Sequence, residues 1–237
     1  MRFESVSRTD VGLKRKINED SVLAAPDRAL WVVADGMGGH DAGEVASAMV
    51  ADALRALPQG DSLDSTVDAA IDALSNVNEA LIELARTTQS ERTIGTTVVG
   101  LTIGDGGYRC FWAGDSRAYH VRDGQITRIS RDHSLVQDLV DAGMLTQEQA
   151  EKHESSNVIT RAIGVAEEMR VDVVGGDALP GDQFVLASDG LTRCVSDEEL
   201  AAELARNSPE QAADNLVRTV LSRGAPDNVT LVIAKVL

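Results

Sequence analysis

Four aspartates lie where an apolar, strand-like stretch of the sequence begins or ends. Asp35 follows LWVVA, Asp115 follows CFWAG, Asp189 follows FVLAS and Asp227 precedes NVTLVIAKV. A carboxylate beside a hydrophobic core is costly unless a cation or hydrogen bonds compensate its charge. Taken singly, each aspartate is more typical of a turn or a helix cap. Their recurrence at four strand edges favours a shared cation.

Carboxylate oxygens of this kind suit Mg²⁺ or Mn²⁺ rather than zinc. Two such ions, bridged, can bind a hydroxide and stabilise a phosphoryl group from both sides. Gly36 directly follows Asp35, and its carbonyl can approach an ion because no side chain blocks the way. The aspartates therefore predict a divalent-metal site suited to phosphoryl chemistry.

A second charged stretch, RKINED at residues 15–20, places an arginine close to further carboxylates. Arginine binds phosphate through paired hydrogen bonds, so Arg15 is a candidate ligand for a substrate phosphate. The same stretch is also typical of a solvated charged loop, and on its own it favours that interpretation.

Composition excludes several classes of protein. The 237 residues include 38 acidic and 22 basic side chains, a formal net charge of −16, which opposes binding to nucleic acid or to anionic membranes. No apolar stretch approaches the roughly 20 residues of a membrane-spanning helix, and the first residues lack a signal-peptide core. Two cysteines, Cys110 and Cys194, fit a reducing compartment. We expect a cytoplasmic monomer with no nucleic-acid or membrane partner.

The periodicity of apolar residues predicts an α+β fold. Strands are expected at 29–34, 96–103, 108–113, 117–122, 125–130, 169–175, 182–187 and 228–236. Helices are expected at 42–56, 63–86, 196–206 and 208–222. Asp105-Gly106 and Asp123-Gly124 predict hairpin turns, hence mainly antiparallel sheets. We predict a four-layer αββα sandwich, two sheets flanked by helix pairs, as a single domain over 1–237. The polar segment at about 134–160 is expected to form a mobile flap.

Together these motifs resemble the metal-dependent protein phosphatase family, the type 2C serine/threonine phosphatases, in its compact bacterial form. The matching stretches are RKINED (15–20), VVADGMGGHDAGEVAS (32–47), IGTTVV (94–99), AGDSRAY (113–119), SRDHS (130–134), ITRAIG (159–164), LASDGL (186–191) and DNVT (227–230). They follow the family's order over essentially the whole chain. Any one stretch would be weak, whereas the ordered set is specific. The resemblance implies the same sandwich.

The resemblance also implies roles for the aspartates. Asp35 is expected to bridge two ions, with the Gly36 carbonyl on one of them. Asp189 and Asp227 are expected to bind the other ion. Asp115 resembles the family aspartate that, with Asp189, helps to hold a third and weaker ion. The expected cofactors are therefore two Mn²⁺ or Mg²⁺ ions in a core site, and a third beside them.

Four further residues receive roles from the resemblance. Glu19 is expected to act through metal-bound water with Asp20 beside it, and Arg15 to grip the substrate phosphate. Many eukaryotic members carry histidine directly after the Asp-Gly pair as the candidate general acid, but this position is Met37 here. His40, three residues further on, is the candidate in this chain, with metal-bound water as the alternative.

The implied activity is metal-dependent hydrolysis of phosphoserine and phosphothreonine in proteins, by attack of a metal-bridging hydroxide. The implied partners are phosphorylated proteins, including a bacterial serine/threonine kinase and its substrates. A cysteine-dependent phosphatase is excluded because neither cysteine has an arginine at the required spacing, and no GxxxxGK[ST] loop indicates a nucleotide hydrolase. A non-catalytic binding module of the same fold, and a hydrolase of small phosphate esters, remain as alternatives.

Overall fold

Two antiparallel β-sheets pack face to face at the centre of the structure, a computed structural model that describes residues 1–38, 42–58, 60–87 and 93–237. The first sheet has the order β1 (Phe3–Asp10), β11 (Val229–Val236), β10 (Gln183–Ala187), β7 (Arg117–Arg122), β8 (Gln125–Arg128). The second has the order β2 (Asp20–Ala25), β3 (Leu30–Met37), β5 (Val98–Gly104), β6 (Gly107–Ala113), β9 (Asp172–Asp177), with β4 (Gly95–Thr96) paired to β3.

The two predicted hairpin turns are confirmed. Asp105 and Gly106 connect β5 to β6 with φ angles of 51° and 79°, and Asp123 and Gly124 connect β7 to β8 with 52° and 76°. Positive φ at both central residues is the backbone that a two-residue hairpin with right-twisted strands requires, and Asp-Gly tolerates it.

A pair of helices covers the outer face of each sheet. Helices α1 (Ala42–Arg55) and α2 (Leu63–Thr87) pack on the second sheet, and α6 (Asp197–Arg206) and α7 (Pro209–Ser222) pack on the first. Buried residues recur along α2 every three or four positions, at Val67, Ala70, Leu74, Val77 and Leu81. That spacing gives the helix one apolar stripe towards the sheet. The predicted four-layer αββα sandwich is confirmed.

Strand β3 shows why the inner strands read as continuous apolar runs. Trp31 and Val33 are buried between the two sheets, whereas Leu30, Val32 and Ala34 are buried against the helices. Side chains of a strand alternate between its two faces, so a strand covered on both faces needs an apolar residue at every position.

Some elements differ from the prediction. The edge strands β1 and β2 were not predicted, because each is covered incompletely and carries mixed polar residues. Strand β3 continues to Met37 rather than ending at residue 34, because β4 pairs with its last residues. Asp35 therefore lies inside a strand and not after it. Strand β9 begins three residues later than predicted, and β8 ends at Arg128.

Segment 134–160 contains two short helices, α3 (Leu135–Asp141) and α4 (Gln147–Glu151). A bridge between Ser134 and Ile159 joins its two ends. A further one-turn helix, α5 (Asp189–Thr192), follows β10. Within the described ranges, no helix combines the length and the apolar character that crossing a membrane would require.

Candidate metal centre

Strand pairing brings the predicted carboxylates to one edge of the sandwich. Asp20, the first residue of β2, pairs with Asp35 near the end of β3. In the other sheet the last residue of β10, Ala187, pairs with Leu231 near the start of β11. Antiparallel pairing therefore places Asp189 and Asp227, which follow and precede these strands, at the same edge.

Two threonines fix the backbone of Asp35. Its N–H donates to Thr97 Oγ1 (3.0 Å), while its carbonyl accepts from Thr97 N (2.8 Å) and from Thr96 Oγ1 (2.9 Å). Both threonines come from the IGTTVV stretch and are almost fully buried. The strand therefore presents Asp35 from a rigid backbone.

Two glycines allow the start of α1 to approach Glu19. A Cβ at Gly36 would overlap the carbonyl oxygens of Gly43 and Glu19, and a Cβ at Gly43 would overlap the Glu19 carboxylate. The Gly36 N–H also donates to the Glu19 carbonyl (3.0 Å). Glycine at both positions thus places Glu19 against Gly36, next to Asp35 in the chain.

Asn228 holds the loop that carries Arg15. Its Nδ2 donates to the carbonyls of Val11 (2.9 Å) and Ile17 (3.0 Å), and its Oδ1 accepts from Glu19 N (2.8 Å). Arg15 Nη2 then lies 2.7 Å from Asp227 Oδ2. One side chain that is 4% exposed therefore positions the predicted phosphate ligand beside a predicted metal ligand.

The carboxylates are close enough to disturb one another's ionisation. Burial, together with the charges of neighbouring aspartates, raises the pKa of Asp20 and of Asp115 to about 7. Burial, followed by the charges of Asp20, Asp189, Asp115 and Asp227, raises the pKa of Asp35 well above its ordinary value. Burial also raises the pKa of Asp189, although Arg193 opposes this. Divalent cations bound here would neutralise these carboxylates and favour their ionised form.

The donor set fits hard divalent ions. Carboxylates from both sheets, with the Gly36 carbonyl, are the oxygen ligands that Mg²⁺ and Mn²⁺ prefer. Across the described residues, no three acidic, histidine or cysteine side chains already surround one point as a ligand set. Arginines lie among the carboxylates instead, with Arg15 on Asp227 and Arg193 Nη2 2.8 Å from Asp189 Oδ2. These two cations offset part of the clustered charge.

Asp115 lies on the side of the cluster that faces segment 134–160. It is 8% exposed, and its neighbour Ser116 shares a 2.8 Å hydrogen bond with Thr97, the residue that also holds Asp35. A cavity of about 700 Å³ extends from Asp115 and Asp189 to α3, α4 and the start of α6. A substrate bound at the carboxylates would therefore lie beside the segment that was predicted as a flap.

His40, the predicted general acid, lies outside the described residues. The ring of His133 stacks on the ring of Trp112 with 5.9 Å between their centroids, and His133 Nε2 lies 3.1 Å from Asp172 Oδ2. Its Nδ1 accepts from Gly114 N (3.2 Å), so this histidine braces the turn before Asp115.

Sequence reasoning missed Asn228 and Arg193. The position of Asn228 directly after Asp227, in DNVT, was a signal for the first. The spacing of four residues between Asp189 and Arg193 was a signal for the second, because such residues are neighbours on a helix.

Comparison with known proteins agrees with this geometry. The family model described as "Protein phosphatase 2C" matches residues 14–234. The serine/threonine protein phosphatase PstP of Mycobacterium tuberculosis is 39% identical over 235 residues, which cover 98% of this chain and 44% of PstP. This chain thus spans less than half of that relative.

Two solved structures are similar over nearly their whole length. PppA, described as a key regulatory component of T6SS in Pseudomonas aeruginosa, is 41% identical with a TM-score of 0.93, covering 100% of this chain and 99% of PppA. The catalytic domain of PstP in complex with two manganese ions is 37% identical with a TM-score of 0.87, covering 98% and 97%. Motifs, fold and carboxylate cluster agree, and this chain belongs to the protein phosphatase 2C family.

Proposed function

We propose that this domain is a Mn²⁺- or Mg²⁺-dependent protein phosphatase that hydrolyses phosphoserine and phosphothreonine. The observation that carries the proposal is the convergence of Asp20, Asp35, Asp115 and Asp189 at one edge, where burial and mutual repulsion raise their pKa values. Bound divalent ions would supply an activated water and neutralise the phosphoryl oxygens.

The residues of the cluster divide by position. Asp35, with the Gly36 carbonyl, would contact two ions, since the charges of four other aspartates of the cluster act on it. Asp189 and Asp227 would complete the core site from the first sheet, and Asp115 would join Asp189 at a third position. Glu19 and Asp20 would orient water around the ions, and a 2.8 Å hydrogen bond from Ser188 holds the Asp20 carboxylate in place.

Arg15 would bind the substrate phosphate. Its side chain is about half exposed and pairs with Asp227 at 2.7 Å, so it can reach both the cluster and an incoming anion. Lys14 and Lys16 flank it in an exposed loop, and they are two of the four lysines in a chain with a net charge of −16. Positive charge is thus concentrated where a phosphorylated substrate would arrive.

Relatives support the substrate class. PstP and the Streptococcus pneumoniae protein PhpP are named as protein phosphatases, and the PstP domain binds two manganese ions. We infer phosphorylated proteins as the partners of this chain, with a bacterial serine/threonine kinase and its substrates among them. Segment 134–160 would act as a flap that selects among them, and His40 is our proposal for the proton donor to the leaving hydroxyl.

The test is hydrolysis of a phosphothreonine peptide and of an aryl phosphate, with Mn²⁺ and then with EDTA. Asp189→Asn should lower kcat by about a hundredfold or more, as the loss of one charge-stabilising group does. Asp105→Asn is the matched control, because this aspartate lies in the β5–β6 turn, at the end of β5 opposite to Thr97 and Asp35. Activity that survives EDTA, or an unimpaired Asp189→Asn, would refute the proposal. Activity on the aryl phosphate alone would indicate a small-ester hydrolase instead.

A further inference from the structure

The side chain of Arg193 joins two site carboxylates to the predicted flap. Its Nη2 lies 2.8 Å from Asp189 Oδ2 and 3.7 Å from Asp115 Oδ2. Its Nη1 donates a hydrogen bond to Asn157 Oδ1, in segment 134–160. Arg193 follows the last residue of α5 and is four residues after Asp189, so its side chain can fold back along the helix to that carboxylate.

Both carboxylates need a positive charge, and Arg193 supplies one. The side chains of Asp115 and Asp189 are 11% and 16% exposed, whereas Arg193 is 36% exposed. A guanidinium stays protonated at every physiological pH, so it is a permanent cation. Its fork of donors can serve a carboxylate on one side and an amide oxygen on the other.

The resemblance to the type 2C phosphatases places the third, weaker ion on Asp115 and Asp189, and we call this place the weak position. A guanidinium and a divalent ion cannot both occupy the same carboxylate oxygens without strong mutual repulsion. An ion that binds this pair must therefore first displace Arg193, and displacement also removes the support that Asn157 gives to the guanidinium.

We propose that Arg193 is an internal cation that competes with a divalent ion for Asp115 and Asp189, and that Asn157 holds it in place. The inference rests on the metal centre proposed above. Arg193 sets the ion concentration at which the weak position fills. Because Asn157 belongs to segment 134–160, filling of that position also releases a contact between this segment and the metal centre.

The experiment measures Mn²⁺ binding to the metal-stripped chain, by EPR of free Mn²⁺ and by calorimetry. The proteins are the wild type, Arg193→Gln, Arg193→Lys and Asn157→Ala. Arg223→Gln is the matched control, because it removes the same charge from a side chain of similar exposure, 41%, that pairs with Glu199. Circular dichroism of each variant verifies folding.

Removal of the competitor should tighten the weakest Mn²⁺ site at least tenfold in Arg193→Gln, the size expected for a charge-assisted hydrogen bond. The affinity of this site for Mn²⁺ in Arg193→Lys should lie between that of Arg193→Gln and that of the wild type. Asn157→Ala should tighten the site about threefold, as expected for one weakened hydrogen bond. Arg223→Gln should change it less than twofold, because only a general loss of positive charge remains.

Three outcomes would overturn the inference. An unchanged weak site in Arg193→Gln would do so, as would an equal change in Arg223→Gln, which would indicate the general field of the protein. Two bound ions with no third in any variant would overturn this inference and leave the proposed function intact. No Mn²⁺ binding at all would refute the proposed metal centre itself.

Discussion

Replacing Asp20 with asparagine tests whether the site carboxylates destabilise the metal-free fold. Asp20 is 8% exposed, and burial is the main reason that its pKa rises from 3.8 to about 7. In the unfolded chain the same carboxyl loses its proton near pH 4. Between pH 4 and 7 the folded state therefore binds more protons than the unfolded state, so its stability falls as the pH rises.

The size of the effect follows from this pKa difference. One proton bound in the folded state alone changes the free energy of unfolding by about 1.4 kcal/mol for each pH unit. Ionisation of Asp20 should thus cost about 3 kcal/mol between pH 5 and 8, and most of this cost arises below pH 7, where the folded-state carboxyl is half ionised. Asp20→Asn has no proton to lose, and its amide oxygen can still accept the hydrogen bond from Ser188.

The assay is urea unfolding in EDTA at pH 5, 6, 7 and 8, followed by circular dichroism. Asp20→Asn should be more stable than the wild type at pH 8, and its advantage should shrink by about 3 kcal/mol at pH 5. A constant difference across this range would refute the reasoning, and so would a variant less stable than the wild type at pH 8. Added Mn²⁺ should stabilise the wild type at pH 8, because the ion replaces the missing counter-charge.

Three further predictions concern the site. Gly190→Ala should lower the free energy of unfolding by about 2 kcal/mol or more, since its Cβ would overlap the carbonyl of Asn228; thermal unfolding measures this. Asn228→Ala should raise KM for phosphopeptides and weaken inhibition by free phosphate, because the Arg15 loop loses three hydrogen bonds. An equal loss of affinity for an uncharged competitive inhibitor would contradict this. Mn²⁺ affinity should fall as the pH drops from 8 to 6, because protons compete for Asp20 and Asp115, both with a pKa of about 7. Calorimetry at several pH values measures this affinity, and a constant affinity from pH 8 to 6 would contradict the prediction.

The sandwich and its site were predictable to the extent that they depend on local pattern. Apolar runs, helical stripes and Asp-Gly turns are local signals, and they located the inner strands, the four long helices and both hairpins. Edge strands such as β1 and β2 were not predictable in this way, because half-covered strands carry a weaker apolar pattern. The extension of β3 to Met37 depends on pairing with β4, which is some sixty residues away in the chain.

The residues of the metal centre likewise divide into those that local sequence pattern indicates and those that depend on tertiary packing. Convergence of Asp35, Asp189 and Asp227 could be predicted, because strand ends in an antiparallel sandwich meet at shared edges. The contact of Arg193 with both Asp115 and Asn157 could not, since it joins α5 to a segment whose position is set by tertiary packing. Asn228 was visible only as a neighbour of Asp227, because its three partners lie more than 200 residues earlier in the sequence.

The most direct test of the central claim measures bound Mn²⁺ and phosphate release in the same samples. Metal-stripped protein is titrated with Mn²⁺, bound ions are counted after equilibrium dialysis, and hydrolysis of a phosphothreonine peptide is followed. We predict no hydrolysis without metal and two bound ions when activity appears. In Asp35→Asn we predict the loss of both metal binding and hydrolysis. Hydrolysis by protein that holds no metal, or full activity in Asp35→Asn, would contradict the account.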